Sequence, residues 1–281
     1  MISILDNIPA LAAQNALSNT QSALQNTLFQ LSSGQRINSG ADDAAGLAIA
    51  NGLQANVTAL NQTTQNVNDG VGQLQVVDGA LSQVTSLLNR AVTLATEASN
   101  GTETATQQQA LDAEFTKIKS EITNIGSNTD FNGSNVFTAS TTSIFLSDAS
   151  NNYTIGITVG TLSASNIQGG SGSGLTAVNL STDSLTSTTN ATAALTDINN
   201  DIINVASKRG EVGATINQLT AANNVVATQV QNLTSAENNI MAADIPQVVG
   251  NLNQQSILDQ TGIAALAQAN AVQQGVLKLI P

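Results

Sequence analysis

Apolar residues recur along most of this chain at alternating steps of three and four, the spacing that places side chains on one seam of a helix. Stepping in this way from Leu195 reaches Ile198, Ile202, Val205, Arg209, Val212, Ile216, Leu219, Asn223, Val226, Val230, Leu233, Glu237 and Ile240, and 11 of these 14 positions are apolar. A helix of that length exceeds the ordinary globular range and implies a rod or bundle. A second seam runs through Val57, Leu60, Thr64, Val67, Val71, Leu74, Asp78, Leu81, Thr85, Leu88, Val92 and Ala95. Gly70, Gly72 and Gly79 lie within it. Each costs about 1 kcal/mol relative to alanine in a helix, so they read as points of close approach to a neighbouring helix. After "SNGTETA" a third helix carries Leu111, Phe115, Ile118, Ile122 and Ile125. Three such amphipathic segments can share one core as an elongated bundle.

Between Phe131 and Asn190 the pattern changes to Ser, Thr, Gly and Asn. "SIFLSD" (143–148) and "YTIGITV" (153–159) are β-rich and separated by "ASNN". Tyr153, Ile155, Ile157 and Val159 alternate with Thr154, Gly156 and Thr158, the pattern of a half-buried hairpin strand. "QGGSGSG" (168–174) reads as a flexible loop.

The two ends have helical spacing but little grease. Leu17, Leu24, Leu28 and Leu31 follow it at the N-terminus; Ile245, Val248, Val249, Leu252, Ile263, Leu266, Leu277 and Ile280 form one stripe at the C-terminus. Between them lie Ala, Gln and Asn rather than charges. Arms of this kind are too weakly hydrophobic to fold alone and too uncharged to stand as solvated rods. They are expected to be mobile in a monomer and to order against copies of themselves.

Composition sharpens this picture. Aromatics make up only 2% of the chain, so its core must be thin, built of Ala, Val, Ile and Leu. The absence of Cys rules out disulfides and thiolate metal sites, and the absence of His removes the commonest general base and metal ligand. No enzyme, metal or cofactor is expected. The net charge is −12, and the few basic residues are scattered, so nucleic acid is not an expected partner. No apolar run reaches the roughly 18 residues of a membrane span, so membrane insertion is not expected either. "MISILDNIPALAAQN" lacks a basic segment and contains Asp6, unlike a secretory signal peptide. By these signs alone the location would be cytosolic.

One stretch changes that reading. "LSSGQRINSGADDAAGLAIA" (31–50) resembles the N-terminal signature of bacterial flagellin, and "LAQANAVQQGVLKLI" (266–280) resembles the C-terminal one. "NDGVGQLQVVDGALSQV" and "TDFNG" match the same family in order. The resemblance covers about 1–160 and 190–281 and is closest to the short flagellins. It implies a mainly α fold: an elongated helical bundle plus terminal coiled-coil arms, with a small β-hairpin region. The expected parts are an inner terminal coiled-coil domain (1–42 and 241–281), a helical bundle core (43–136 and 190–240) and a β-hairpin, Ser/Thr/Gly-rich surface region (137–189).

The implied function is a structural subunit that self-assembles into the flagellar filament; the alternative is the hook–filament junction protein. Type III export without a cleaved signal peptide would then place the chain outside the cell. Implied partners are copies of itself, an export chaperone, the filament cap and hook-junction proteins, with a host Toll-like receptor as a further candidate. Implied assembly residues are Leu17, Leu24, Leu28, Leu31, Arg36, Ile37, Asn38, Asp42 and Asp43, together with Leu252, Ile263, Leu266, Gln268, Asn270, Leu277 and Ile280. Asp42 or Asp43 is also placed to cap the helix that follows. Arg90, Leu94 and Glu114 match positions of receptor contact in the family, although Ala91, Val92 and Thr93 depart from the usual charged pattern around them.

Overall fold

A computed structural model describes residues 7–147, 152–170 and 177–277. The chain is mainly α, with five α-helices among the described residues: α1 (Ile8–Ser33), α2 (Ala44–Ala98), α3 (Ala105–Asn128), α4 (Thr188–Met241) and α5 (Ile245–Leu277). Three small antiparallel pairs complete it: β1 (Asp130–Phe131) with β2 (Ser134–Asn135), β3 (Thr142–Ser147) with β4 (Asn152–Ile157), and β5 (Leu162–Ser163) with β6 (Asn166–Ile167). The chain divides into two compact units, one comprising Met1–Ala55 and Asn232–Pro281, the other Asn56–Gln231. The first therefore reaches further along α2 and α4 than the arms 1–42 and 241–281.

Local chemistry explains the helix ends. The Asn7 side chain accepts from the Ala10 backbone N–H at 3.1 Å, with Pro9 in the first turn. Gly34, at φ 69°, closes α1 in the left-handed conformation that glycine adopts without steric cost. Thr104 and Gln107 form a reciprocal capping box that restarts the chain as α3 after its break.

In the second unit the buried positions of α2 are Val57, Leu60, Thr63, Val67, Gly70, Leu74, Val77, Leu81, Val84, Leu88, Ala91, Leu94, Ala95 and Ala98. Seven of the twelve expected seam positions are thus buried, while the other five sit one residue too late. Thr64, Val71, Asp78, Thr85 and Val92 are half-buried beside it. At position 70 packing selects glycine because the Ile144 side chain fills the space that a Cβ would need. A Cβ on Gly70 would stand 2.9 Å from the Ile144 side chain. Gly72 and Gly79 do not share this role: a Cβ at 72 would make ordinary contact with Phe131, and at 79 would meet nothing.

The same offset holds in α4, which buries Ala191, Ala194, Ile198, Asp201, Asn204, Val205, Lys208, Val212, Leu219 and Val226. Leu195, Ile202, Ile216 and Val230 flank that line, half-buried. In α3 the expected face is observed: Phe115, Ile118 and Ile122 are buried, with Leu111 and Ile125 at its margin.

The expected hairpin forms in the register Ile144↔Ile155 and Leu146↔Tyr153. Ile144, Leu146, Ile155, Ile157 and Val159 are buried, but Tyr153, at the turn end of its strand, is exposed. The flexible-loop reading of 168–174 does not hold at its start. Gly169 and Gly170 are buried, and a Cβ on Gly170 would lie 3.2 Å from the Ser207 carbonyl oxygen. Residues 171–174 fall outside the described residues.

Candidate assembly interface

Within the first unit α1 packs on α5. Asn7 donates to Asn270 at 3.3 Å, the Thr27 hydroxyl donates to Gln255 at 2.7 Å, and Gly262 lies against Leu17, so the two helices run antiparallel. Their facing positions keep a strict three–four rhythm: Leu17, Thr20, Leu24, Thr27 and Leu31 on α1, and Val248, Leu252, Gln255, Asp259, Gly262, Leu266 and Ala269 on α5. The seam is small and partly polar.

Other large apolar side chains point away from it. Phe29 is 66% exposed, Ile257 61% and Ile263 52%, and Ile8, Leu11 and Val272 are also exposed. Four expectations are corrected here. Leu28, 47% exposed, lies one residue past the seam, which Thr27 occupies; Ile245, Val249 and Ile263 face outward rather than into the α1–α5 contact. Leu17, Leu24, Leu31, Leu252 and Leu266 do lie on it. Gln268 and Asn270 are exposed. The Leu277 side chain and Ile280 lie outside the described residues. Thr27 and Gln255 escaped the sequence reading because they are polar, although their spacing from Leu24 and Leu252 announced them.

The connector 34–46 is tied down locally. The Arg36 backbone N–H donates to the Met241 carbonyl at 2.6 Å, and its guanidinium donates to the Ile240 carbonyl at 2.9 Å. The Ile37 side chain is buried. Asn38 donates its side-chain amide to the Gln35 carbonyl. Asp42 accepts from the backbones of Asn38 (3.0 Å) and Ser39 (2.8 Å) and from the Ser39 hydroxyl. Those bonds to its charged form hold its carboxyl below the usual carboxylate range. Asp43 accepts from the Gly46 N–H at 2.8 Å. The two acids therefore divide the work: Asp43 caps α2, and Asp42 shapes the loop before it. A Cβ on Gly46 would stand 2.9 Å from the Ile37 side chain, so residue 46 must be small for the connector to close.

In the second unit Arg90 and Glu114 form a two-point ion pair at 2.7 and 3.1 Å on the surface of α2 and α3. The Arg90 guanidinium holds the Glu114 carboxyl below its ordinary range. Leu94 is fully buried, so its side chain is core and not surface. Among the described residues no group of three or more His, Cys, Asp or Glu side chains could hold a metal ion.

Long helices with a partly polar seam between the terminal pair and further large apolar side chains outside it define a helical structural protein whose surface is suited to contact. The bacterial flagellin N-terminal helical region matches residues 4–142, and the bacterial flagellin C-terminal helical region matches 195–280. A flagellin of Halalkalibacterium halodurans is 34% identical over 98% of both chains, and a flagellin of Bacillus subtilis 32% identical over 98% of both. A 30.7 kDa flagellar filament core protein of Treponema maltophilum is 28% identical, again over 98% of each. A solved flagellin of Bacillus cereus aligns with 62% of this chain and 94% of its own at 28% identity, with a TM-score of 0.46. The chain belongs to the bacterial flagellin family.

Proposed function

We propose that this chain is the structural subunit of an extracellular bacterial flagellar filament, and that neighbouring copies cover the outward apolar face of its α1–α5 pair. The observation that carries this is the large apolar surface left outside the pair: its seam mixes Leu17, Leu24, Leu31, Leu252 and Leu266 with Thr27, Gln255 and Asp259, while Phe29, Ile257 and Ile263 lie outside it. Fully covering a side chain of Leu, Ile or Phe size contributes about 1.5–3 kcal/mol. Several such chains on each arm reward association more than they reward the isolated pair. A head-to-tail contact repeated without closure then builds a helical polymer. The named relatives are flagellins and filament core proteins, which favours the filament over the hook–filament junction.

The residue roles follow the same division. Leu17, Leu24, Leu31, Leu252 and Leu266 pair the arms; Leu28 and Ile263 reach neighbours. Arg36, Ile37, Asn38, Asp42 and Asp43 hold the connector, and Gln268 and Asn270 extend the polar edge of α5. Export through the flagellar type III route, an export chaperone, the cap and hook-junction proteins follow from family membership. Recognition by a Toll-like receptor through Arg90, Leu94 and Glu114 has weaker support, because Leu94 is buried and the two charges engage each other.

The test is assembly of a Phe29→Ser, Ile257→Ser double variant beside a Leu266→Asp variant and a chain lacking residues 1–40. Seeded polymerisation followed by sedimentation and electron microscopy should show no filaments from any of them. Circular dichroism of the double variant should match that of the unaltered monomer, because both substituted side chains are already exposed. Filaments of normal yield from the double variant would refute the proposal.

A further inference from the structure

Asp201 is the anomaly of the second unit. It sits on the buried line of α4 between Ile198 and Val205, is fully buried, and neither carboxyl oxygen has a hydrogen-bond partner of good geometry among the described residues. A buried charge without a partner is costly enough that a carboxyl in this position keeps its proton.

Its surroundings reinforce that. Asp197 lies one turn earlier on α4, and Asn204 one turn later, with the Asn204 amide donating to the Ile167 carbonyl at 3.0 Å. Asp183, in the segment before α4, also has a buried, unpartnered carboxyl oxygen, and its carboxyl is raised by burial and by the charge of Asp197. From α3 comes Lys119, whose ammonium is engaged by the Asp183 backbone carbonyl at 2.6 Å and lies over the Phe115 ring. Asp112, also on α3, accepts from the Leu185 N–H. Among the described residues no cation is therefore placed on the Asp201 carboxyl itself. Burial first, and the charge of Asp197 second, push its pKa up to about 8, against a partial lowering by Asn204. The cluster does not have the geometry of a metal site.

We infer that Asp201 is a proton-operated lock on the helical core of the second unit: neutral, it seals the α4 seam, and its ionisation forces the surrounding turn of α4 to open. The folded state favours the protonated form, whereas the unfolded chain releases that proton in the ordinary carboxylate range. The stabilisation is therefore complete below that range. It falls about tenfold in the folding equilibrium per pH unit above it, and is lost as pH passes about 8.

The experiment uses the full-length chain kept dilute and monomeric, so its outcome is independent of filament assembly. Urea unfolding is measured from pH 5 to 9 for the natural chain, Asp201→Asn and Asp201→Ala. Relative to either variant, the natural chain should lose about tenfold in folding equilibrium per unit up to pH 8 and then run parallel. Amide exchange at 198–205, corrected for intrinsic rates, should speed up above pH 8 only in the natural chain. Infrared spectra at pH 7 should contain a protonated-carboxyl band that Asp201→Asn abolishes. That band needs only one folded variant for comparison, and Asp201→Ala serves if the amide does not fold. Parallel pH profiles throughout, or no such band in the natural chain, would overturn the inference.

Discussion

Arg209 on α4 grips Asp78 on α2 at two points, 2.8 Å through Nε and 3.2 Å through Nη2. Both residues belong to the flank of the core, where α2 and α4 meet solvent. The bidentate geometry fixes their register. The Arg209 guanidinium also holds the Asp78 carboxyl below its ordinary range.

Both side chains are more than one-third exposed, so water and salt screen the pair. Arg209→Leu should cost about 0.5–1 kcal/mol in urea unfolding at low salt and less at high salt. Because the Asp78 pKa is lowered on folding, its contribution is present above the ordinary carboxylate range and disappears as pH falls through the depressed value. The difference between natural chain and variant should therefore vanish in strong acid.

Asp43→Ala removes the cap of α2 and should cost about 1 kcal/mol of helix stability. Asp42→Ala should act differently, speeding amide exchange at Asn38 and Ser39 while leaving the first turn of α2 protected. Exchange rates resolved by residue separate the two outcomes.

Two glycines give opposite expectations. A Cβ on Gly126 would stand 1.8 Å from the Leu162 carbonyl oxygen, a backbone atom that cannot swing aside. Gly126→Ala should destabilise by about 3 kcal/mol. Gly79, on an exposed turn of α2, has open space around it, and Gly79→Ala should stabilise by about 0.5–1 kcal/mol. Thermal melts of the two variants should move in opposite directions.

The seam of the arms supplies a further expectation. Thr27→Val keeps the volume but leaves the Gln255 carbonyl oxygen without its donor, and should cost about 1–3 kcal/mol of arm pairing. Thr27→Val with Gln255→Leu should recover most of that loss. A double-mutant cycle on arm helicity by circular dichroism measures it.

Helix existence and the order of elements were legible in the sequence, because runs such as Leu111–Ile125 and Ile155–Val159 carry one periodicity apiece. Which residue of each step is buried was not. At position 70 the Ile144 side chain fills the space a Cβ would need, so Gly70 is buried in preference to Val71 one place on. Asp201 and Lys208 were invisible for the opposite reason, since a charged residue ordinarily marks the solvent face, yet both lie on the buried line of α4. In the arms, leucine spacing located the helices but could not show that Phe29 and Ile257 point outward while Thr27 and Gln255 meet. That assignment depends on the antiparallel pairing of segments more than 200 positions apart.

The partly hydrophilic joint between α1 and α5 has a kinetic corollary. Contacts such as Thr27 with Gln255 trade with water at small net cost, so parting the two tails uncovers less oily surface than a wholly apolar seam would. A newly arrived copy can thus release its own fastening and seat each tail separately at a growing tip.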